Sequence, residues 1–250
     1  MPIVTLTSDL AGSGYYLAAI KGSILKAFPN TQLIDVTNHI APLDYKAAAF
    51  SIQKAYTYFP EGSIHVVHIN GADAKGRMLI AEKNNHFFLV FDNGTGPLIF
   101  EHEPVVFYEV TAEPEPGSLF IATLLKGLRI IIEKQTLGTP VQQIKVLRRL
   151  NPVGTSGSVK GSILFIDAFG NAITNITESF FKQYIQADFV IAVGAANIDK
   201  ISPFYNVHEP GNVVAFFNSS RLLEIAQNNH TKGAQLLGLK VDGPVLIYEN

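Results

Sequence analysis

Three β-rich runs and two helical patterns alternate over the first seventy residues, and few folds accept that order. "PIVTLTS" is an apolar run with β-branched residues that ends polar, and "YYLAAIKGSILKAF" then places Leu17, Ile20, Ile24 and Leu25 at helical spacing before Pro29 and Asn30 close it. "TQLIDVT" returns to a strand, "DYKAAAFSIQKAYTYF" to an amphipathic helix and "SIHVVHI" to a strand. Strands separated by helices are laid side by side in parallel with the helices covering the faces. The expectation is a parallel α/β sheet over residues 1 to about 125, to which "MLIAE", "HFFLVF" and "VVFYEV" add strands and "SLFIATLLKGLRIII" adds a helix. Ligands of such sheets lie beyond the carboxyl ends of the strands, where Asp9, residues 35–44 and Asn70 fall.

The pattern changes at "NPVGTSGSVKGS", which reads as an interdomain connection. Beyond it "SILFIDAFG", "DFVIAVG", "NVVAFFN" and "GPVLIYE" are short strands punctuated by glycine and polar turns, so residues 1–150 read as an α/β domain and 151–250 as a smaller, mostly β domain. With 47% hydrophobic and 16% charged residues, the chain can bury a large core. A formal net charge of −2 offers no general attraction to nucleic acid or anionic lipid, and "KVLRR" reads as a solvated helix face or linker. Cysteine is absent, which removes disulfides, thiolate zinc and a Cys nucleophile and fits a reducing cytoplasm. The amino terminus enters a strand pattern without the features of a signal peptide, and no apolar run approaches the roughly 20 residues of a membrane helix. A cytoplasmic protein with no membrane or nucleic-acid partner is expected.

The loop "HINGADAKGR" superficially resembles a phosphate cradle, but Arg77 stands where the lysine is wanted, Met78 where the hydroxyl is wanted, and a strand pattern follows instead of a helix. His65 and His68 lie three apart on a strand and point to opposite faces, which argues against a shared metal. In "IDAFGNAITNI", Asp167, Asn171, Thr174 and Asn175 interrupt a strand; they either close a β-turn on their own backbone or meet a ligand. "FFNSSRLLEIA" reads as a strand ending in Asn218, Ser219 and Ser220 followed by a helix, with those residues as a cap or as donors to a carboxylate.

Taken in order, "TSDL", "YLAAIKG", "IDVTNHIAPLD", "AYTYFPEGSIHVV", "DNG", "GSILFIDAFGNAITNI", "FNSSRLLEIAQNN" and "LLGLKVDGPVLI" resemble the S-adenosylmethionine hydroxide adenosyltransferases and their fluorinase and chlorinase relatives over nearly the whole chain. The resemblance implies a Rossmann-like α/β domain with a mostly parallel sheet, a smaller β-barrel domain, and a homotrimer with the ligand between neighbouring subunits. It implies that Asp9 accepts two hydrogen bonds from ribose hydroxyls. Phe169 and Phe204 would sandwich adenine, Asn171 would read its polar edge, Asp167 would contact the methionine ammonium, and Ser219 would belong to the segment holding the carboxylate. For each phenylalanine, ordinary core packing is the competing reading. Leu43 would form part of the pocket wall.

The implied reaction is displacement at ribose C5′ with methionine as leaving group; it requires alignment, exclusion of bulk water and one oriented water, and no metal or other cofactor. Arg77 matches an arginine that helps position the water. Its companion aspartate is Asn70 in this chain, a following proline is Gly71, a second carboxylate after "TSDL" is replaced around Gly14, and the family histidine before the last helix of the first domain has no counterpart. Asp73, Glu113 and Glu115 are candidate replacement carboxylates. Asparagine can hold a water but cannot take its proton. The expected function is hydrolysis of S-adenosylmethionine to adenosine and methionine, with 5′-halide transfer and noncatalytic adenosyl binding as alternatives.

Overall fold

The computed structural model describes residues 1–10, 14–70, 77–101, 103–111, 119–204, 209–228 and 232–250. Gly71, Asp73, Glu113 and Glu115 lie outside the described residues. The chain divides into two compact units, Met1–Arg149 and Leu150–Asn250.

In the first unit the described strands are β1 (Ile3–Ser8), β2 (Gln32–Thr37), β3 (Ile64–His68), β4 (Met78–Lys83), β5 (His86–Phe91) and β6 (Phe107–Val110), in the order β2-β1-β3-β5-β4-β6. The sheet is mixed. β2, β1, β3 and β5 run parallel, whereas β4 is antiparallel to both β5 and β6. The reversal has a local cause: only Asn84 and Asn85 separate β4 from β5, and both take positive φ, 51° and 61°. Two residues cannot make a parallel crossover, but with φ above zero they make a tight hairpin turn matched to the strand twist.

The helices of this unit are α1 (Tyr16–Ala27), α2 (Tyr45–Ala55), α3 (Thr95–Phe100) and α4 (Leu119–Ile132). Ile20 and Ile24 of α1 and Leu124 and Leu128 of α4 pack with Val4, Leu6, Val66, Leu89 and Phe91 on one face of the sheet. Ala48, Ala49 and Ile52 of α2 and Leu98 and Ile99 of α3 pack with Val67, Leu79, Phe88 and Val90 on the other. Neighbours Val66 and Val67 therefore serve opposite cores, as the two-residue period of a strand requires. Both faces being covered explains why these strands read as continuous apolar runs. Residues 145–149 form no helix. Arg149 is not a solvated charge: its guanidinium donates to Glu101 Oε1 at 2.9 Å and to the Lys46 carbonyl at 2.8 Å, with its side chain only 9% exposed.

His65 lies fully buried on β3, bonded through Nδ1 to Thr5 Oγ1 at 2.8 Å and through Nε2 to His86 Nδ1 at 3.1 Å. Burial first, then the neighbouring His86, pushes its pKa down to about 3. An unfolded chain binds this proton near pH 6.5 and the folded chain does not. Stability is therefore present above pH 6.5 and falls as the pH drops from there toward 3, by up to about 1.4 kcal/mol per pH unit for this one proton. Urea unfolding between pH 7 and 4 should show a steeper acid loss in the wild type than in His65→Gln; equal slopes would remove His65 as the cause.

In the second unit the described elements are β7 (Val153–Thr155), β8 (Ser158–Ile166), β9 (Ala172–Thr177), α5 (Glu178–Tyr184), β10 (Phe189–Val193), β11 (Ala196–Ile198), β12 (Val213–Phe217), β13 (Leu222–Gln227), α6 (Gly233–Leu236) and β14 (Pro244–Glu249). The strand order is β11-β10-β14-β8-β9-β13-β12 with β7 beside β8, and every pairing among these strands is antiparallel. Ile201, just past β11, bridges Ala215 of β12 at the opposite end, and Ser202 N–H donates to the Ala215 carbonyl at 2.7 Å. The sheet thus nearly closes into a barrel around Val159, Ile176, Ile191, Ala215, Ile225 and Val245.

Two sequence expectations change here. The Gly/Ser-rich stretch after residue 150 is the β7–β8 hairpin rather than a connection, with Gly157 supplying the positive φ (74°) of the turn. Gly154 makes room for Tyr184: a Cβ there would come within 2.3 Å of that ring. "LLEIAQ" is strand β13 rather than a helix, because the chain reverses tightly at Asn218 to Arg221, where Arg221 has φ 57°. Among the described residues no helix is long and apolar enough to cross a membrane.

Candidate functional site

α1 carries the chain from β1 outward to β2, and α2 carries it back to β3 on the other side of β1. In open α/β sheets, ligand crevices lie at such a divergence, outside the carboxyl ends of the two inner strands. Asp9 follows β1 and Asn70 follows β3, and the backbone locks them together: Asp9 N–H donates to the His68 carbonyl at 3.3 Å, and Asn70 N–H donates to Asp9 Oδ2 at 3.2 Å. Asn70 has φ 41°, a region asparagine tolerates better than most residues. Its amide donates to the Tyr45 hydroxyl at 3.1 Å.

The strand ends beneath are held by buried polar groups. Asn93, after β5, donates to the Ile69 carbonyl at 2.6 Å and accepts from the N–H and hydroxyl of Thr95. Ser8 donates to Asn38, after β2, at 2.7 Å. These bonds tie the ends of β2, β3 and β5 to their neighbours beneath Asp9 and Asn70, while the ring nitrogens of His68 at the end of β3 stay unbonded among the described residues.

Burial alone would raise the Asp9 carboxyl, whose side chain is 9% exposed; His68 and the Asn70 N–H outweigh it and hold the group below the ordinary carboxylate range. Of these, the Asn70 bond is formed, whereas His68 Nδ1 stands 3.9 Å from Asp9 Oδ1, too distant for a hydrogen bond. Asp9 is thus an ionised acceptor at neutral pH.

Arg77, at the head of β4, is heavily committed. Nη1 donates to Asp92 Oδ2 at 2.6 Å and to the Gln143 carbonyl at 3.2 Å, and Nε and Nη2 reach Glu109 Oε2 at 3.0 and 2.9 Å. Three of its five N–H donors make hydrogen bonds among the described residues, and Nη2 stands in an ion-pair contact with Glu109, which leaves little of the guanidinium for a water. Leu43, 57% exposed, takes φ 67°, a strained left-handed conformation for a branched apolar residue.

In the second unit Asp167 and Asn171 close the β8–β9 turn. Asp167 Oδ1 accepts from the N–H groups of Phe169 and Asn171, both at 2.9 Å, and Oδ2 accepts from the Asn171 amide at 3.1 Å. Gly170, with φ 78°, completes the turn. Asp167 therefore serves its own backbone, and the same bonds thrust Phe169 outward: it is 67% exposed. Phe204 is 63% exposed, so core packing accounts for neither ring. Ser219 sits in the β12–β13 turn, where Asn218 Oδ1 accepts from Ser220 and Leu222 N–H and its amide donates to the buried Glu224 at 2.9 Å. Burial first, and nearby Asp167 as well, raises the Glu224 carboxyl above its usual range, against the opposing effect of Asn218.

The structure thus assembles two groups, Asp9 with Asn70 in the first unit and Asp167 with Phe169 and Asn171 in the second. Sequence reasoning missed Tyr45, Asn93 and the approach of His68 to Asp9. The signal for Asn93 was a polar residue directly after an apolar strand; the other two depend on which strands are neighbours.

The chain is similar over 97% of its length, at 26% identity, to an (R)-S-adenosyl-L-methionine hydrolase of Thermus thermophilus, of which 98% is covered. It is 23% identical to a fluorinase of an Actinoplanes species, covering 91% of each chain. A crystal structure of an uncharacterized conserved protein from Thermotoga maritima shares the fold, with a TM-score of 0.82 over the whole of both chains at 21% identity. The model of the SAM hydroxide adenosyltransferase N-terminal domain matches residues 4–123, and that of the C-terminal domain matches residues 161–246. With both domain models matched in order across most of its length, the chain belongs to the SAM hydroxide adenosyltransferase family.

Proposed function

We infer that this protein binds S-adenosylmethionine and hydrolyses it to adenosine and L-methionine by attack of water at ribose C5′. The observation that carries the reading is the ionised, half-buried Asp9 held beside Asn70 at the carboxyl ends of β1 and β3, together with relatives named for this reaction. Asp9 receives the two ribose hydroxyls. Asn70 orients the water, with Arg77 as second partner. Phe169 and Phe204 stack on adenine, and Asn171, whose amide N–H donates to Asp167, presents its carbonyl oxygen to the adenine amino group. Asp167 meets the methionine ammonium and the Ser219 turn its carboxylate. The reading extends to a Rossmann-like platform in the first unit, a barrel in the second, and a homotrimer in which the site is completed.

In the reaction the water oxygen bonds C5′, the C5′–S bond breaks with its electron pair going to sulfur, the sulfonium becomes a neutral thioether, and one proton of the attacking water passes to solvent, since the Asn70 amide cannot accept it. The positive charge leaves sulfur and departs with that proton, so a site that aligns the water with the C5′–S bond and limits bulk water around the sulfonium favours the step.

Incubating the purified protein with S-adenosylmethionine should yield equal amounts of adenosine and methionine at a rate unchanged by chloride or fluoride, followed by chromatography and mass spectrometry. Intact substrate after prolonged incubation at high protein concentration would overturn hydrolysis, and a 5′-halo-5′-deoxyadenosine product would replace it with halide transfer. One observation favours a noncatalytic binder as second reading: the Asn70 side chain is an amide already engaged by Tyr45, so it cannot accept the water's proton. Calorimetric affinity for adenosine without turnover would select that reading.

A further inference from the structure

His68 ends β3 two residues before Asn70, is 9% exposed, and has no hydrogen-bond partner for either ring nitrogen among the described residues. Leaving a buried polar group unbonded costs about 1–3 kcal/mol, so such a group calls for an explanation. His65, three positions earlier on the opposite face of the strand, has both nitrogens bonded. The ring of His68 is held in an aromatic slot, edge-on to Phe91 at 5.0 Å and to Phe120 at 5.1 Å. Its Nδ1 lies 3.9 Å from Asp9 Oδ1, while Asp9 Oδ2 is occupied by the Asn70 N–H. A shift of roughly 1 Å would convert this approach into a charge-assisted hydrogen bond.

We propose that His68 is a positioning residue for Asp9: when a nucleoside sugar covers the carboxylate, the imidazole takes up a proton, bonds Oδ1 and holds the carboxylate aimed at the two hydroxyls. The inference rests on the sugar-binding role assigned to Asp9 and adds a proton linkage to it. Covering Asp9 removes the remaining water from its charge, and a cation within hydrogen-bond reach offsets that cost. Among the described residues, the groups that face the ring are Asp9 from the segment after β1, Phe91 from β5 and Phe120 from α4, and Asp9 is the charged one. Proton uptake on binding makes affinity for an uncharged nucleoside rise as the pH falls through the imidazole range.

Adenosine is the probe, titrated calorimetrically from pH 8 to pH 6 in two buffers of different ionisation enthalpy. In the wild type the Kd should fall roughly three- to tenfold over that interval, with uptake of up to one proton per site. In His68→Gln, with a melting temperature verified beforehand, adenosine should still bind while the pH slope and the proton uptake vanish; His68→Asn serves if the glutamine variant does not fold. His65, pushed down to about 3, is silent in this window. A pH-independent wild-type Kd, or uptake that survives in the variant, overturns the proposal and leaves the nucleoside reading standing. Absence of adenosine binding at every pH overturns both.

Discussion

Asp9→Asn should weaken adenosine binding by roughly 10²–10³-fold with little change in fold stability. The carboxylate offers two ionised oxygens to a pair of vicinal hydroxyls, and a hydrogen bond to a charged group contributes about 1.5–3 kcal/mol. The amide keeps one acceptor and turns the other into a donor, so one hydroxyl loses its partner and the other loses its charge assistance. The native structure barely notices, since an asparagine oxygen can still accept the Asn70 N–H that Asp9 Oδ2 now accepts. Calorimetry with adenosine and 2′-deoxyadenosine separates the two effects. The wild type should discriminate strongly between the ligands, and the variant should discriminate much less. Undiminished adenosine affinity in the variant would remove Asp9 from the sugar site.

The first unit was legible in the sequence because each of its early elements carries its own period. β1, α1, β2, α2 and β3 fall where apolar spacing switches between two and 3.6, and polar residues mark the strand ends that Asp9 and Asn70 follow. What composition concealed was pairing. The sequence "KNNH" at residues 83–86 contains the turn that makes β4 antiparallel, yet asparagine pairs also occur in loops, and only the positive φ of both residues distinguishes the hairpin. The same limit hid β11 and β13, the second strands of the β10–β11 and β12–β13 hairpins, and β7 beside β8. "LLEIAQ" contains a charged residue inside an apolar stretch, which mimics a helical face, until Glu224 is seen to be buried and bonded to Asn218. Arg149 read as part of a solvated basic cluster and Arg77 as a cation that positions a water, but the partners that fix each of them, Glu101 and Gln53 for one, Asp92 and Glu109 for the other, lie from 15 to 96 residues away. His68 was read only against His65; its relation to Asp9 exists because β1 and β3 are neighbours, with Ser8 opposite His68 in the register.

Asn70→Asp should accelerate adenosine formation by about 10²-fold or more, the scale on which a positioned base contributes to proton transfer. The backbone accepts the change, because aspartate tolerates the same φ of 41° that asparagine adopts here. The Tyr45 hydroxyl, which now accepts from the Asn70 amide, can rotate to donate to the new carboxylate. Two opposing influences set the new group's proton affinity: the ionised Asp9 carboxylate next to it raises its pKa, and the substrate's sulfonium lowers it. The variant's single-turnover rate should therefore climb with pH until that carboxyl is ionised and then level off, whereas the wild type, lacking a base at this position, should not show that rise. The same substitution separates the displacement chemistries, since a carboxylate that accepts a proton from water repels an incoming halide. If the native protein transfers halide, Asn70→Asp should suppress the halogenated product and raise adenosine in its place. A variant whose rate and pH profile match the wild type would mean that residue 70 does not contact the attacking water, and the proton would then have to leave by a route that bypasses the end of β3.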